Sequence, residues 1–244
     1  MSGEVRVLRP QGPSRFVLLC DHASNFVPAE LHGLGVPASE LTRHIAWDLG
    51  AAAVTGLLSE YFNAPAVLSG VSRLVIDCNR HEDAATLIPE VSDATPIPGN
   101  AGLTESARSE RLDRWFRPYH DAVESIFLDR EARGVPSVAL SIHSMTPSLT
   151  GGPARPWQIA LSSHMDRSLA DPVIAALRAA GDIVVGDNQP YDLDPAYDYS
   201  IPFHAMRRGL PQIQVEFRQD EIADAAGQRR WALRFAQALV SGIP

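Results

Sequence analysis

Cysteine is almost missing from this chain: Cys20 and Cys78 are the only two among 244 residues, and both fall inside apolar runs. That excludes a disulfide framework and suits a reducing compartment, so a cytoplasmic protein is expected. Positive charge is also short, with 21 Lys and Arg against 29 Asp and Glu for a net charge of −8. A nucleic-acid binder needs a basic footprint, so nucleic acid is not an expected partner. No window approaches the ~18 uninterrupted apolar residues of a membrane span, so no membrane segment is expected. The first residues, Met-Ser-Gly-Glu-Val-Arg, lack a basic segment followed by an apolar one, and no secretory signal is expected either. Several catalytic signatures are absent too: Gly-x-Ser-x-Gly, the Walker A loop, Gly-x-Gly-x-x-Gly, His-Glu-x-x-His and Cys-x-x-Cys. Their absence removes the common serine-hydrolase, nucleotide-binding and zinc-finger readings.

What is present reads as an α/β protein. The apolar content of 45% and charged content of 20% are ordinary for a globular chain. The length suits one large domain over residues 1–244. Phe16-Val-Leu-Leu-Cys20 is an apolar run stopped by Asp21-His22-Ala-Ser-Asn25, the pattern of a strand buried on both faces. Similar runs end at His143 and Glu216. Shorter strands are expected at Ala66–Ser69, Trp157–Leu161 and Asp182–Gly186, and another over Ser72–Arg80. Helical spacing of apolar residues predicts helices over about 47–61, 104–133 (broken or kinked at Pro118), 167–180 and 223–239. Residues 1–15 should wrap the surface, while 81–103 and 187–202 should form loops that border the site. Strands alternating with helices imply a three-layer α/β/α architecture around a mainly parallel, mixed central sheet.

In such sheets chemistry collects beyond the carboxyl ends of the strands. The candidates there are His22, His143, Glu216, Asp48, Arg73 and the pair Asn79-Arg80. Two histidines from separate strand ends with one acidic ligand would make a catalytic metal site with a position open for water. Glu216 would act as general base, moving a proton from water to the leaving nitrogen. Arg80 beside Asn79 suits a substrate carboxylate, which the guanidinium fork binds bidentately, and Arg73 could hold the same group or polarise the scissile carbonyl. Each residue also has a plainer role: a hydrogen-bonded histidine, Glu216 paired with Arg218 or a neighbouring helix, Asn79-Arg80 fixing the following loop, or Asp48 helping to start its helix. His32, His120 and His164 read as ordinary surface or helix residues, whereas His44 and His204 flank candidate site segments.

The stretches Asp21–Asn25, His44-Ile-Ala-Trp-Asp48-Leu-Gly, Ser72–Arg80, Pro96-Ile-Pro-Gly-Asn-Ala-Gly102, Ser141-Ile-His-Ser144, Gly186–Tyr191 and Val215-Glu-Phe-Arg218 together resemble the N-formylglutamate amidohydrolase family. The resemblance runs from about Phe16 to Leu239 and implies a zinc-carboxypeptidase-like fold. It implies His22 and His143 as metal ligands, Glu216 as general base, Asn79 and Arg80 on a substrate carboxylate, and Arg73 supporting the oxyanion. Zinc carboxypeptidases carry an acidic ligand three residues after the first histidine, where this chain has Asn25. The third ligand is therefore Asp48, His44 or Asn25, with Asp48 preferred. The expected activity is hydrolysis of an N-acyl amino acid such as N-formylglutamate, a small-molecule substrate, with zinc or another divalent metal as cofactor. A carboxypeptidase-like or N-acyl-aspartate-type deacylase is the alternative, and a non-catalytic binder of an acidic metabolite is a second.

Overall fold

The computed structural model describes residues 3–242. Among them a seven-stranded sheet runs in the order β1-β3-β2-β6-β9-β7-β8. Its strands are β1 (Arg6–Leu8), β2 (Phe16–Cys20), β3 (Ala66–Leu68), β6 (Val138–Met145), β7 (Ile159–Ser162), β8 (Val185–Asp187) and β9 (Gln212–Arg218). A separate hairpin pairs β4 (Val91–Ser92) with β5 (Thr95–Pro96). The central strands β3, β2, β6 and β9 are parallel. β1 and the β7-β8 pair run the other way at the two edges, which makes the sheet mixed. The N-terminal segment expected to wrap the surface thus supplies an edge strand.

Helices α1 (Ala51–Phe62), α4 (Ala170–Arg178) and α6 (Ala225–Gly242) cover one face. Helix α3 (Arg117–Ala132) and the short α5 (Ser200–His204) cover part of the other. Alternation along the strands decides which side chain goes where. Ile213, Val215 and Phe217 of β9 join Leu140 and Ile142 of β6 in the core under α1, α4 and α6. Gln212, Gln214 and Glu216 therefore share the opposite face with Ser141 and His143, each of those two paired across the strands with Gln214 and Glu216 respectively. The sheet thus has a dry face and, beside α3, a polar one.

A third core lies off the sheet and corrects one expectation. Ser72–Arg80 is not a strand; it folds as successive turns, with Leu74, Val75 and Ile76 buried against Ile45, Leu87, Ile97 and Trp115. Its backbone groups are taken by side chains and by loop backbone rather than by a sheet ladder. Arg111 donates to the Val75 carbonyl at 2.9 Å, Asn100 donates to the Leu74 carbonyl at 2.8 Å, and the Asp77 amide donates to the Leu87 carbonyl at 2.8 Å. A buried backbone needs such partners, and here they come from the loop expected at 81–103 and the helix after it. That helix is interrupted as expected, though ahead of Pro118. α2 (Glu105–Arg111) passes through a π-helical turn at Leu112–Phe116 into α3. Pro118, which has no N–H to donate, follows this π-helical turn closely, where the regular hydrogen-bond ladder is already broken.

Candidate active site

β2 has β3 on one side and β6 on the other, so the connections leaving its end diverge and open a crevice at the carboxyl ends. His22 follows β2 directly, and its backbone carbonyl accepts the Asp48 amide at 3.0 Å. The Asp48 carbonyl in turn accepts the Ala51 amide at 3.1 Å as α1 begins. Gly50 makes that entry possible: its φ is +80°, and a Cβ there would stand 2.5 Å from the Ile222 carbonyl oxygen. Asp48, distant in sequence, is thereby pinned between the ends of β2 and β6.

The two imidazoles lie with ring centroids 5.1 Å apart, and Asp48 bridges them. Its Oδ2 is 3.3 Å from His22 Nδ1 and 2.9 Å from His143 Nδ1. The far nitrogens are otherwise engaged. His22 Nε2 lies 2.7 Å from Asp77 Oδ1; His143 Nε2 lies 2.8 Å from Ser141 Oγ and 3.2 Å from Asp21 Oδ2. Placing the protons on the two Nε2 atoms leaves both Nδ1 lone pairs facing a carboxylate oxygen. Such a set of acceptors calls for a cation. One ligand atom from each of His22, Asp48 and His143 fits within 4.8 Å of the others, and all three residues are buried. An outer carboxylate on the second imidazole nitrogen is also the usual support of a metal-binding histidine. The donor set therefore fits a divalent metal such as zinc.

The same carboxylates dominate the electrostatics, and without a metal they favour a proton on the rings in its place. Burial pushes both imidazoles down, but Asp77 and Asp48 around His22, and Asp21 and Asp48 around His143, carry both above the usual histidine value. Burial likewise raises the carboxyls of Asp21, Asp48 and Asp77, yet the histidines, and for Asp77 first Arg73, hold all three well below the usual range. Glu216 behaves in the opposite way. Burial dominates, the nearby Asp48 charge adds to it, and the carboxyl is pushed up to about 7.

These groups open into a pocket of about 480 Å³ lined by Arg73, Asn79, Arg80, Arg155, Tyr191 and Glu216 among others. Arg73 donates to Asp77 Oδ2 at 2.8 Å and to Asp48 Oδ1 at 3.4 Å. Asn79 is occupied with the following loop: its amide donates to Asp198 at 2.9 Å and its oxygen accepts the Tyr199 and Ser200 amides, each at 3.0 Å. Arg80 lies 3.6 Å from Asp198 and packs on the Tyr197 ring.

The sequence profile of the N-formylglutamate amidohydrolase family matches residues 14–223. The chain belongs to that family. Among solved structures, the gene product Atu2144 from Agrobacterium tumefaciens is 36% identical, with a TM-score of 0.92 over 98% of this chain and 95% of that one. The N-formylglutamate amidohydrolase from Ralstonia eutropha JMP134 is 19% identical, with a TM-score of 0.70 over 98% of both chains, a likeness of fold. No curated protein matches the chain. Membership makes the protein a hydrolase of the amidohydrolase type, acting on a small molecule.

The three residues considered for a third ligand lie in different surroundings. Asp48 joins His22 and His143. Asn25 points elsewhere, its amide donating to the Leu41 carbonyl at 2.9 Å. His44 lines the pocket, but its Nε2 lies 3.2 Å from Asp93, whose carboxylate also binds Arg43 and Thr150. His120, expected to be an ordinary surface or helix residue, is buried in α3, its Nδ1 3.0 Å from His204 Nε2. The sequence reading missed Asp77, Asp21, Ser141 and Asp198, which hold the candidate residues in place. Asp21 and Asp77 stood inside the motifs already singled out, so proximity in sequence was an available signal. Ser141 could have been found from strand period, because it shares a face with His143. Asp198 had no signal, since only the fold brings it to Asn79.

Proposed function

We propose that this chain hydrolyses the amide bond of an N-acyl amino acid, N-formylglutamate being the leading candidate, to a carboxylate and the free amino acid. The observation that carries the reading is the sorting of imidazole nitrogens. Both Nε2 atoms are committed to outer partners and both Nδ1 atoms converge with Asp48, at the floor of a pocket that Glu216 also lines. His22, Asp48 and His143 would hold a divalent metal, which when bound supplies Lewis acidity toward the scissile carbonyl and toward water.

The remaining steps belong to side chains. Glu216, across from His143 in register, takes a proton from the water that attacks the acyl carbon. It passes that proton to the nitrogen as the C–N bond breaks; water's oxygen and its second hydrogen leave on the acid, which ionises as the freed amine takes up that last proton. A carboxyl pushed up to about 7 suits this exchange near neutral pH. Arg73, fixed by Asp77 and Asp48, offsets the charge that develops on the acyl oxygen. Arg80, with the remaining amide N–H of Asn79, receives the α-carboxylate. The pocket volume suits a small molecule rather than a polymer.

The test is a panel of N-formyl, N-acetyl and peptide substrates offered to protein purified without chelators and supplied with zinc, read by release of primary amine. Release from N-formyl amino acids, with peptides left intact, is the expected result. Cleavage only of peptides would favour a carboxypeptidase-like enzyme, and binding with no release from any compound would mark a non-catalytic binder.

A further inference from the structure

We infer that Gln214, two residues before Glu216 on β9, accepts the N–H of the scissile amide and so favours amides over esters of the same shape. This rests on the hydrolase reading above and adds to it a residue that positions the reacting nitrogen. Gln214 belongs to the pocket wall, yet it is only 4% exposed. Its Oε1 is buried and has no hydrogen-bond partner among the described residues. A buried acceptor left unpaired lowers stability, so one kept in a pocket wall calls for a donor that arrives from outside.

The neighbours that could supply that donor are engaged elsewhere. In register across the strands, Gln214 faces Ser141 on β6 and Ser162 on β7. A hydroxyl has a single hydrogen to give. Ser141 donates its hydrogen to Asp21 Oδ2 at 3.2 Å, and Ser162 to the Tyr191 carbonyl at 2.6 Å. Gln212, earlier on the same face, also has both amide atoms buried without partners, but it is not part of the pocket wall. The alternative is that the two glutamine amides bond to one another or share a buried water, with no part in the chemistry.

The substrate brings what is missing. N-formylglutamate with both carboxylates ionised is all acceptors except at the amide N–H, its one donor. Alternate residues of a strand lie roughly 7 Å apart on one face, so the Gln214 amide stands beside the Glu216 carboxyl in the same pocket. Holding the amide hydrogen fixes the orientation of the nitrogen, and with it the direction of the lone pair that Glu216 must protonate. A carboxamide suits this place because it stays neutral beside the base and does not compete for the proton.

The experiment compares N-formyl-L-glutamate with the formate ester of L-2-hydroxyglutarate, in which oxygen replaces the N–H at nearly the same size. Formate release by zinc-supplied wild type and Gln214→Met is measured for kcat/KM, corrected for spontaneous ester hydrolysis, and thermal stability is measured without ligand. The substitution keeps an unbranched side chain of similar volume and removes the acceptor. It should lower kcat/KM on the amide by about 10-fold or more. The ester should be cleaved as fast as before or faster, since its oxygen had no hydrogen to offer Gln214. Thermal stability should match or exceed wild type, because no bond within the protein is lost. Should Gln214→Met not fold, Gln214→Asn, which withdraws the oxygen by one methylene, must show the same amide-only loss. No loss on the amide, or equal losses on both compounds, would overturn the assignment, and a simultaneous fall in stability would assign the amide to Gln212 or a buried water. If wild type does not cleave the amide, the hydrolase reading falls and the test passes to Kd by calorimetry. A tighter Kd for the amide than for the ester, erased in Gln214→Met, would uphold the contact; equal Kd values in wild type would overturn it.

Discussion

Two buried histidine pairs sit in this molecule at nearly the same separation, and they have opposite electrostatics. His22 and His143 have ring centroids 5.1 Å apart, and His120 and His204 are 5.2 Å apart. In the first pair Asp48 lies between the rings, and Asp77 and Asp21 stand behind them. In the second no acid intervenes: His120 Nδ1 meets His204 Nε2 directly at 3.0 Å, with His120 Nε2 bonded to the Cys78 carbonyl and Glu124 reached only by the far side of His204. Burial acts on all four imidazoles. The carboxylates overcome it in the first pair and lift both groups above their usual value. In the second, burial and the neighbouring imidazole push His120 down to about 3, and burial, partly offset by Glu124, pushes His204 down to about 4. Two histidines in a core therefore say little about a cation site. An acid placed between them, with their outer nitrogens committed, says much more.

The contrast can be attacked at several points. Only the first pair has a general-base candidate beside it, so Glu216→Gln should lower kcat by ~10³-fold while leaving thermal stability nearly intact. Unchanged turnover would leave that pair as inert as the second. Asp77→Asn removes the carboxylate behind His22, and a loss of roughly 10- to 100-fold in metal affinity or activity is expected. Calorimetric titration with zinc would show it, and an unaltered affinity would deny Asp77 its orienting role. Replacing a member of the second pair should cost stability alone. His204→Gln leaves His120 Nδ1 with a poorer partner, a loss of about 1–3 kcal/mol in denaturant unfolding. Its kcat/KM should stay within a few-fold of wild type, and a large loss of activity would tie the two pairs together.

The smallest effect is one of pH. His120 and His204 have folded values below the unfolded value of about 6.5, so the unfolded chain takes up protons first as pH falls. Their contribution to stability is present above about 6.5 and is lost between there and about 4 for His204, about 3 for His120. His204→Gln should make that decline shallower, by up to about 1.4 kcal/mol per pH unit. The first pair works in the other direction in metal-free protein: its folded values are raised, so its contribution is present below the unfolded value and fades as pH rises through them. A decline equally steep in His204→Gln and wild type would remove the second pair from the acid response.

Much of this architecture could be read from the chain, for reasons that differ by element. β2, β6 and β9 were readable because strands under helices on one face and beside a site on the other leave apolar residues with a polar stop. α6 and α1 were readable from helical spacing, though α1 begins at Ala51, after Asp48, because Gly50 turns the chain. Ser72–Arg80 misled because Leu74, Val75 and Ile76 are as apolar as a strand; what satisfies their backbone is Arg111 and Asn100, residues remote in sequence. The site shows the same division. His22, His143 and Glu216 lie at or near strand ends, but Asp48 could be told from His44 and Asn25 only by seeing which carboxylate or amide the backbone aims at the imidazoles. Asn79 resembled half of a carboxylate clamp, and in the fold most of its amide is spent on Asp198, Tyr199 and Ser200.

Elemental analysis of protein purified without chelators, for wild type, Asp48→Ala and His204→Gln side by side, addresses the proposed metal centre directly. Close to one divalent ion per chain is expected in wild type and in His204→Gln, with the ion lost from Asp48→Ala. Wild-type metal far below that level and not restored by added zinc, or an Asp48→Ala variant that keeps its ion, would contradict the assignment of His22, Asp48 and His143 as its ligands.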